Sequence, residues 1–249
     1  MKFIGIIPAR YASTRFPGKP LAVLGGKTVI QRVYEQVAKV LNDVYVATDD
    51  KRIETAVLAF GGKVVMTAST HRSGTDRCQE AYTKIGQEFD VIINIQGDEP
   101  FIDRTQLEAI QDCFKDEQTD IATLVKPFSA TDSWETLENV NTPKVVIRKD
   151  RTALYFSRSI VPFVRNVEPT EWLKQQPFYK HIGMYAYKAS VLKELTQLPE
   201  SLLERAESLE QLRWLENGYV IKVGISTMET IGIDTAEDLE KASLFLARQ

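Results

Sequence analysis

The run Phe3-Ile-Gly-Ile-Ile-Pro-Ala-Arg-Tyr-Ala-Ser-Thr-Arg-Phe-Pro-Gly-Lys-Pro-Leu21 decides how the rest of the chain is read. It opens with a short apolar stretch, Phe3 to Ile7, bounded by Pro8, the pattern of a strand buried on both faces. Arg10, Arg15 and Lys19 follow in a segment that Pro8, Pro17, Gly18 and Pro20 keep from being helical. In a parallel α/β sheet the loop leaving the first strand lies at the ligand crevice. Three cations on a stiff loop there suit an anion, with a polyphosphate the natural candidate. Solvated loop cations are the plainer alternative.

Outward from this loop the chain alternates between strand and helix. Thr28-Val-Ile-Gln31 has the form of a capping box, and Ile30, Val33, Val37 and Leu41 follow at helical spacing, predicting a helix over about 28–42. Val44–Thr48 reads as a strand, Asp50 as the cap of a helix running to Phe60, Gly61-Gly62 as its end, and Lys63–Thr67 as a third strand. This rhythm predicts βαβ units in a mostly parallel, doubly wound, Rossmann-like sheet. Ser69–Arg77 is a polar loop feeding a helix of about ten residues; its amides either cap that helix or hold a base edge or a phosphate. Asp90–Ile95 is the most apolar strand and so central, and Gln96-Gly-Asp-Glu-Pro100 follows it directly. Asp98 either faces the crevice or satisfies turn amides.

A helix over 103–115 and a strand over Ile121–Val125 come next. Lys144–Arg148 and Ala153–Ser157 then predict a β-hairpin that breaks the βαβ rhythm, so about 129–180 reads as an insertion or subdomain. Its prolines and its aromatics, expected to be exposed, suit a homodimer contact. Lys180–Lys188 returns to strand, with His181, Gly183, Tyr185 and Tyr187 on one face and Ile182, Met184 and Ala186 toward the core. A helix over Glu204–Asn217 ended by Gly218, a strand over Tyr219–Ile225 and a short strand over Ser226–Ile233 are expected. Thr235-Ala-Glu-Asp238 opens a terminal helix, and Asp234 before it can support that cap electrostatically.

With 249 residues the chain can bury a substantial core as one large α/β domain. Its 31 basic against 34 acidic side chains give a net charge of −3, so no overall field draws it to nucleic acid or anionic membrane. Cys78 and Cys113 lack metal-ligand spacing and are expected to be free, partly buried thiols. No signal-like opening or long apolar run occurs, so the cytosol is the expected location, with no membrane insertion. The Gly-x-Gly-x-x-Gly of dinucleotide oxidoreductases, the phosphate-loop Gly-x-x-x-x-Gly-Lys-Ser/Thr and the Asp-x-Asp of many metal-dependent glycosyltransferases are all missing. A nucleotide sensor without catalysis stays open.

Ile7-Pro-Ala-Arg-Tyr-Ala-Ser-Thr-Arg-Phe-Pro-Gly-Lys-Pro-Leu21 resembles the amino-terminal signature of the 3-deoxy-manno-octulosonate (Kdo) cytidylyltransferases, or CMP-Kdo synthetases. Sialic-acid-activating cousins usually carry Ser-Lys-Arg-Leu-Pro-Gly-Lys-Asn there. The resemblance extends to Gly232-Ile-Asp-Thr235 and implies one nucleotidyltransferase domain over 1–249, with a dimerisation arm within about 129–180 that borders the sugar pocket. It implies transfer of CMP from CTP to the anomeric hydroxyl of Kdo with release of pyrophosphate, activating the sugar for lipopolysaccharide biosynthesis in the cytoplasm. Another acidic sugar, 8-amino-Kdo or sialic acid, is the nearest alternative. Under this resemblance Arg10, Arg15 and Lys19 clamp the triphosphate. Ala9, Arg10, Arg72, Ser73, Gly74 and Gln96 contact the nucleotide, while Asp98 and Asp234 hold Mg2+. Arg158, His181, Tyr185, Glu210 and Gln211 form the sugar pocket. Asp98 and Asp234 are 136 positions apart, and only the family template brings them together.

Overall fold

The structure, a computed structural model, describes residues 1–12, 15–228 and 231–248. The Ser13-Thr14 pair of the opening signature lies outside the described residues. In chain order the elements begin with β1 (Phe3–Ala9), the two-residue strands β2 (Val23–Leu24) and β3 (Lys27–Thr28), α1 (Val29–Ala38), β4 (Val44–Thr48) and α2 (Lys51–Ala59). Then come β5 (Val64–Met66), α3 (Gly74–Ile85), β6 (Val91–Asn94), α4 (Arg104–Asp112), β7 (Ile121–Pro127) and α5 (Trp134–Glu138). The rest are β8 (Lys144–Ile147), β9 (Ala153–Ser157), α6 (Trp172–Gln175), β10 (Tyr179–Lys188), α7 (Ala189–Leu195), α8 (Leu202–Glu207), α9 (Gln211–Glu216), β11 (Ile221–Ile225) and α10 (Ala236–Leu246). They fall into two compact units, one of 1–108, 186–196 and 229–249, the other of 109–185 and 197–228.

The first unit is the doubly wound, parallel α/β core expected. Its strands lie in the order β6-β1-β4-β5, every pair parallel, with Gly5–Ala9 opposite Val44–Thr48 and Phe3–Ile6 opposite Val91–Asn94. β6 is buried throughout, which is why three of its four residues, Val91 to Ile93, are apolar and only Asn94 is polar. The helix starts follow from their caps: Thr28 accepts from Gln31 N, Asp50 from Arg52 N and Ser73 from Asp76 N. The Thr28 capping box is only half made, because the Gln31 side chain turns to Glu35 instead. Thr235 and Asp238 make the complete box at the start of α10. Ile233 and Ala242 pack with Leu24 and Val29 in a buried cluster that also takes in Phe16 and Ala22, tying the end of the chain to the opening turn.

In the second unit β11 lies parallel to β7, while β8 pairs antiparallel with both β9 and β10, confirming the predicted hairpin. Phe128, Leu137, Trp172 and Phe178 form a small core of their own, with Trp172 and Phe178 stacked at 6.3 Å. The aromatics here were expected to be exposed, and the structure corrects this: most of them fill or pack against that small core, and Phe163, 76% exposed, is the one left in water among the described residues of 129–180. Neither cysteine is in a disulfide, and both are buried.

Three further expectations change. The helix predicted over 204–217 is two, α8 and α9, because Ser208 adopts φ 50° and ends the first, a left-handed turn that no glycine announces. No strand forms over 226–228 or 231–233, and residues 229 and 230 lie outside the described residues. In β10 Tyr185 and Tyr187 are buried like Ile182, Met184 and Ala186, so half of the expected polar face is packed as well, while His181 and Gly183 are half-buried.

Candidate active site

β1 runs two residues past its predicted end at Ile7, and the reason locates the site. Its pairing with β6 stops at Ile6 and Asn94, the last bond running from Ile95 N to the Ile6 carbonyl at 2.9 Å. The next donor toward β6 would be residue 8, and Pro8 has no N–H. On the β4 side the ladder continues to Ala9 and Thr48. The two central strands therefore part at Pro8, where the strand order also reverses, the position at which open α/β sheets bind ligands. Gly97 fits against this gap because it lacks a side chain: a Cβ there would lie 2.7 Å from the Pro8 carbonyl.

A cleft of about 280 Å³ opens at this point, lined by Pro8, Ala9, Arg10, Arg15, Lys19, Pro20, His71, Arg72, Ser73, Gly74, Arg77, Gln96, Gly97, Asp98 and Asp234. Every residue expected to meet the nucleotide or the metal is in that lining. Five cationic side chains face two carboxylates, so the cleft favours an anion with several negative charges. Lys19 lies between the two aspartates, its Nζ 2.5 Å from Asp98 Oδ2 and 3.1 Å from Asp234 Oδ1, and Arg15 Nη2 reaches Asp234 Oδ2 at 3.2 Å.

Residues 98 and 234 converge through the backbone. Ile233 N donates to the Asp98 carbonyl at 2.9 Å, and the burial of Ile233 beside Leu24 and Val29 fixes the approach. Next to Asp98, burial pushes the Glu99 carboxyl up to about 8, with the Asp98 charge adding to the shift.

The far wall is the start of α3, whose twelve residues begin at Gly74, inside the stretch expected to be loop. Arg77 is buried there and donates to Thr67 Oγ1 at 2.6 Å, with Asp49 Oδ1 3.4 Å away, so its charge is held by the fold. His71 is a lining residue that sequence reasoning missed, since one histidine in a polar loop has no spacing to mark it. Its Nε2 is hydrogen-bonded to Glu80 Oε2, a partner nine positions on. Burial acts to raise the Glu80 carboxyl, but Lys84, the Ala68 N–H and His71 outweigh it and hold the group at about 2.

The residues expected to meet the sugar all belong to the second unit. Arg158 donates from Nε to the Glu207 carbonyl at 2.6 Å, from Nη1 to the Val140 carbonyl at 2.9 Å and from Nη2 to the Ser208 carbonyl at 3.3 Å. His181 Nε2 meets Thr123 Oγ1 at 2.9 Å, and burial pushes its pKa down to about 3, so the ring is neutral at ordinary pH. The His181 and Tyr185 rings lie 5.3 Å apart, and Tyr185 meets Trp214 of α9 edge-on at 5.0 Å. α9 also carries Gln211, whose buried Nε2 has no hydrogen-bond partner, and Glu210 before it accepts from Arg213 Nη2 at 2.7 Å. The structure thus joins His181, Tyr185 and α9 through one tilted and one edge-on ring contact, and seats Arg158 at the end of α8.

Comparison with known proteins agrees with this geometry. A family profile described as cytidylyltransferase matches residues 4–231. The chain belongs to the cytidylyltransferase family. A 3-deoxy-manno-octulosonate cytidylyltransferase of Phocaeicola vulgatus is 71% identical over 249 residues, 100% of this chain and 99% of that relative. An 8-amino-3,8-dideoxy-manno-octulosonate cytidylyltransferase of Shewanella amazonensis is 46% identical over 95% of each chain. Among solved structures, a CMP:2-keto-3-deoxy-manno-octonic acid synthetase complexed with CTP superposes with a TM-score of 0.91 at 43% identity, covering 100% of this chain and 99% of that one. The resemblance to Kdo cytidylyltransferases carried by the opening signature is borne out, and so is the α/β nucleotidyltransferase fold. Among the described residues of this cytidylyltransferase no helix is long and apolar enough to cross a membrane.

Proposed function

We propose that the chain transfers CMP from CTP to the anomeric hydroxyl of Kdo, releasing pyrophosphate and activating the sugar for lipopolysaccharide biosynthesis. The observation that carries this reading is the convergence of Lys19 with Asp98 and Asp234 at the mouth of a cleft lined by cations. The hydroxyl attacks the α-phosphorus in line, and charge builds on the departing pyrophosphate. Arg15 and Lys19, on the rigid turn, take up that charge, and Arg10 at the end of β1 holds the phosphate nearest the sugar nucleophile. Ala9 and Gln96 line the nucleotide's path, and Arg72, Ser73 and Gly74 at the start of α3 receive the base. For the sugar, the reading takes Arg158, His181, Tyr185, Glu210 and Gln211 as the contacts, with neutral His181 serving as a hydrogen-bonding group.

Asp98 and Asp234 fit a divalent ion. Their carboxylates already share one cation, the Lys19 ammonium, and two carboxylates completed by phosphate and water are a usual set for Mg2+. When bound, Mg2+ would supply charge neutralisation at the phosphate oxygens. The same reading has the enzyme acting in the cytoplasm as a homodimer, with exposed Phe163 of the 129–180 segment as an apolar group for a second copy to cover.

The test is pyrophosphate release from CTP with Kdo, 8-amino-Kdo or sialic acid, with Mg2+ present or chelated. Turnover with Kdo that stops on chelation is expected. Turnover with sialic acid alone overturns the substrate assignment, and full turnover in chelator overturns the metal role.

A further inference from the structure

The opening turn has a neck. Gly18 N donates to the Tyr11 carbonyl at 2.9 Å, closing the loop between them, so Arg10 precedes the neck and Lys19 follows it. Gly18 sits at φ 73°, and a Cβ built there would lie 3.0 Å from the Tyr11 ring, so ring and glycine backbone are in close contact. Against the same ring stands Arg52, its guanidinium carbon 3.3 Å from the ring centroid. Asp50, the cap of α2, fixes that guanidinium as a fork: Oδ1 accepts from Nε at 3.0 Å and Oδ2 from Nη2 at 2.6 Å. Asp50 Oδ1 also accepts from Arg52 N at 2.9 Å, so the cap and the fork share one carboxylate.

A surface ion pair would account for Asp50 and Arg52 alone. It would not put the guanidinium on an aromatic ring belonging to another element. A bidentate carboxylate pre-orients the planar group, which is the geometry that stacks on an aromatic face. Arg52 is not among the residues that line the cleft, so any effect it has on the site passes through Tyr11.

We propose that Arg52 is a positioning residue for phosphate binding: by clamping Tyr11 it holds the neck that sets the spacing of Arg10 and Lys19. This rests on the reading that the turn's cations bind the triphosphate. The helix cap thereby supports the phosphate site from outside it. Charge alone is not sufficient for this role, because a lysine cannot make the fork and the stack together.

The test is steady-state kinetics of the full chain with CTP, Kdo and Mg2+, together with pyrophosphate as a competing product. Arg52→Ala is expected to raise KM for CTP about three-fold, the scale of an exposed cation–π contact. It should weaken pyrophosphate inhibition by the same factor and leave KM for Kdo and Tm unchanged. Arg52→Lys should fall between, Tyr11→Phe should behave as wild type, and Tyr11→Ala should reproduce Arg52→Ala. Adding Arg52→Ala to Tyr11→Ala should change nothing further. An unchanged KM for CTP, equal rises for both substrates, or effects that multiply in the double variant would each overturn the proposal. Lys19→Ala separates the two levels: if it leaves pyrophosphate inhibition intact, the phosphate assignment falls and this inference with it. If it abolishes that inhibition while Arg52→Ala is silent, only the role of Arg52 falls.

Discussion

The cleft beyond β1 and the packed rings of the second unit treat polar groups in opposite ways. In the cleft, Arg10, Arg15, Lys19, Arg72 and two carboxylates stand in partial contact with water, and Lys19 is shared between both aspartates. In the second unit Arg158 is bound to three backbone carbonyls and His181 is hydrogen-bonded to Thr123. One region keeps charge available to a ligand; the other commits it to the protein's own backbone. Substitutions in the cleft should therefore change chemistry with little effect on folding, and those in the second unit should lower stability together with any effect on the sugar.

The sharpest way to break that contrast is at the aspartates. Asp98→Asn and Asp234→Asn are each expected to lower turnover by about 10³-fold with the fold intact, measured by pyrophosphate release beside a thermal melt. Retention of full turnover in both variants would remove the proposed metal role. Arg15→Ala and Lys19→Ala should cost about 10²-fold, the loss typical of one charge-stabilising donor. Since Lys19 touches both aspartates, it should show the larger loss of the two.

Arg158 sharpens the comparison from the other side. Arg158→Ala is expected to lower Tm by several degrees, because the carbonyls of Val140, Glu207 and Ser208 lose a shared donor. A variant with normal Tm and a raised KM for Kdo would leave Arg158 its proposed contact with the sugar and remove this structural role. The smallest effect concerns pH. His181 is neutral in the fold with a pKa of about 3, against about 6.5 in an unfolded chain, so the unfolded state binds more protons between those values. Stability from this residue is complete above about pH 6.5 and declines as pH falls toward 3. His181→Gln should flatten that part of the Tm-versus-pH curve, while the wild-type kcat profile should show no inflection from this ring near neutrality.

Local signals made most of the first unit legible. Strand β4 matches its predicted bounds, and Thr28, Asp50 and Thr235 cap the helices they were expected to cap, because burial on both faces and side-chain caps leave a mark within a few residues. The cations of the opening turn were legible for the same reason. The break at Ser208 was not, since a left-handed turn at a serine depends on its packing and not on its residue type. Pro8 looked like a strand end and is instead where one of two ladders stops. The meeting of Asp98 with Asp234 needs the Ile233 bond across the folded unit, which no spacing encodes. His71 and the three carbonyls around Arg158 belong to the same class of long-range fact.

The bond from Ile233 to Asp98 also bears on synthesis. Half of the carboxylate pair comes from residue 234, so a growing polypeptide has no finished pocket until that residue has left the ribosome. A chain that stops short of residue 234 would then lack half of that pair and should release no pyrophosphate from CTP.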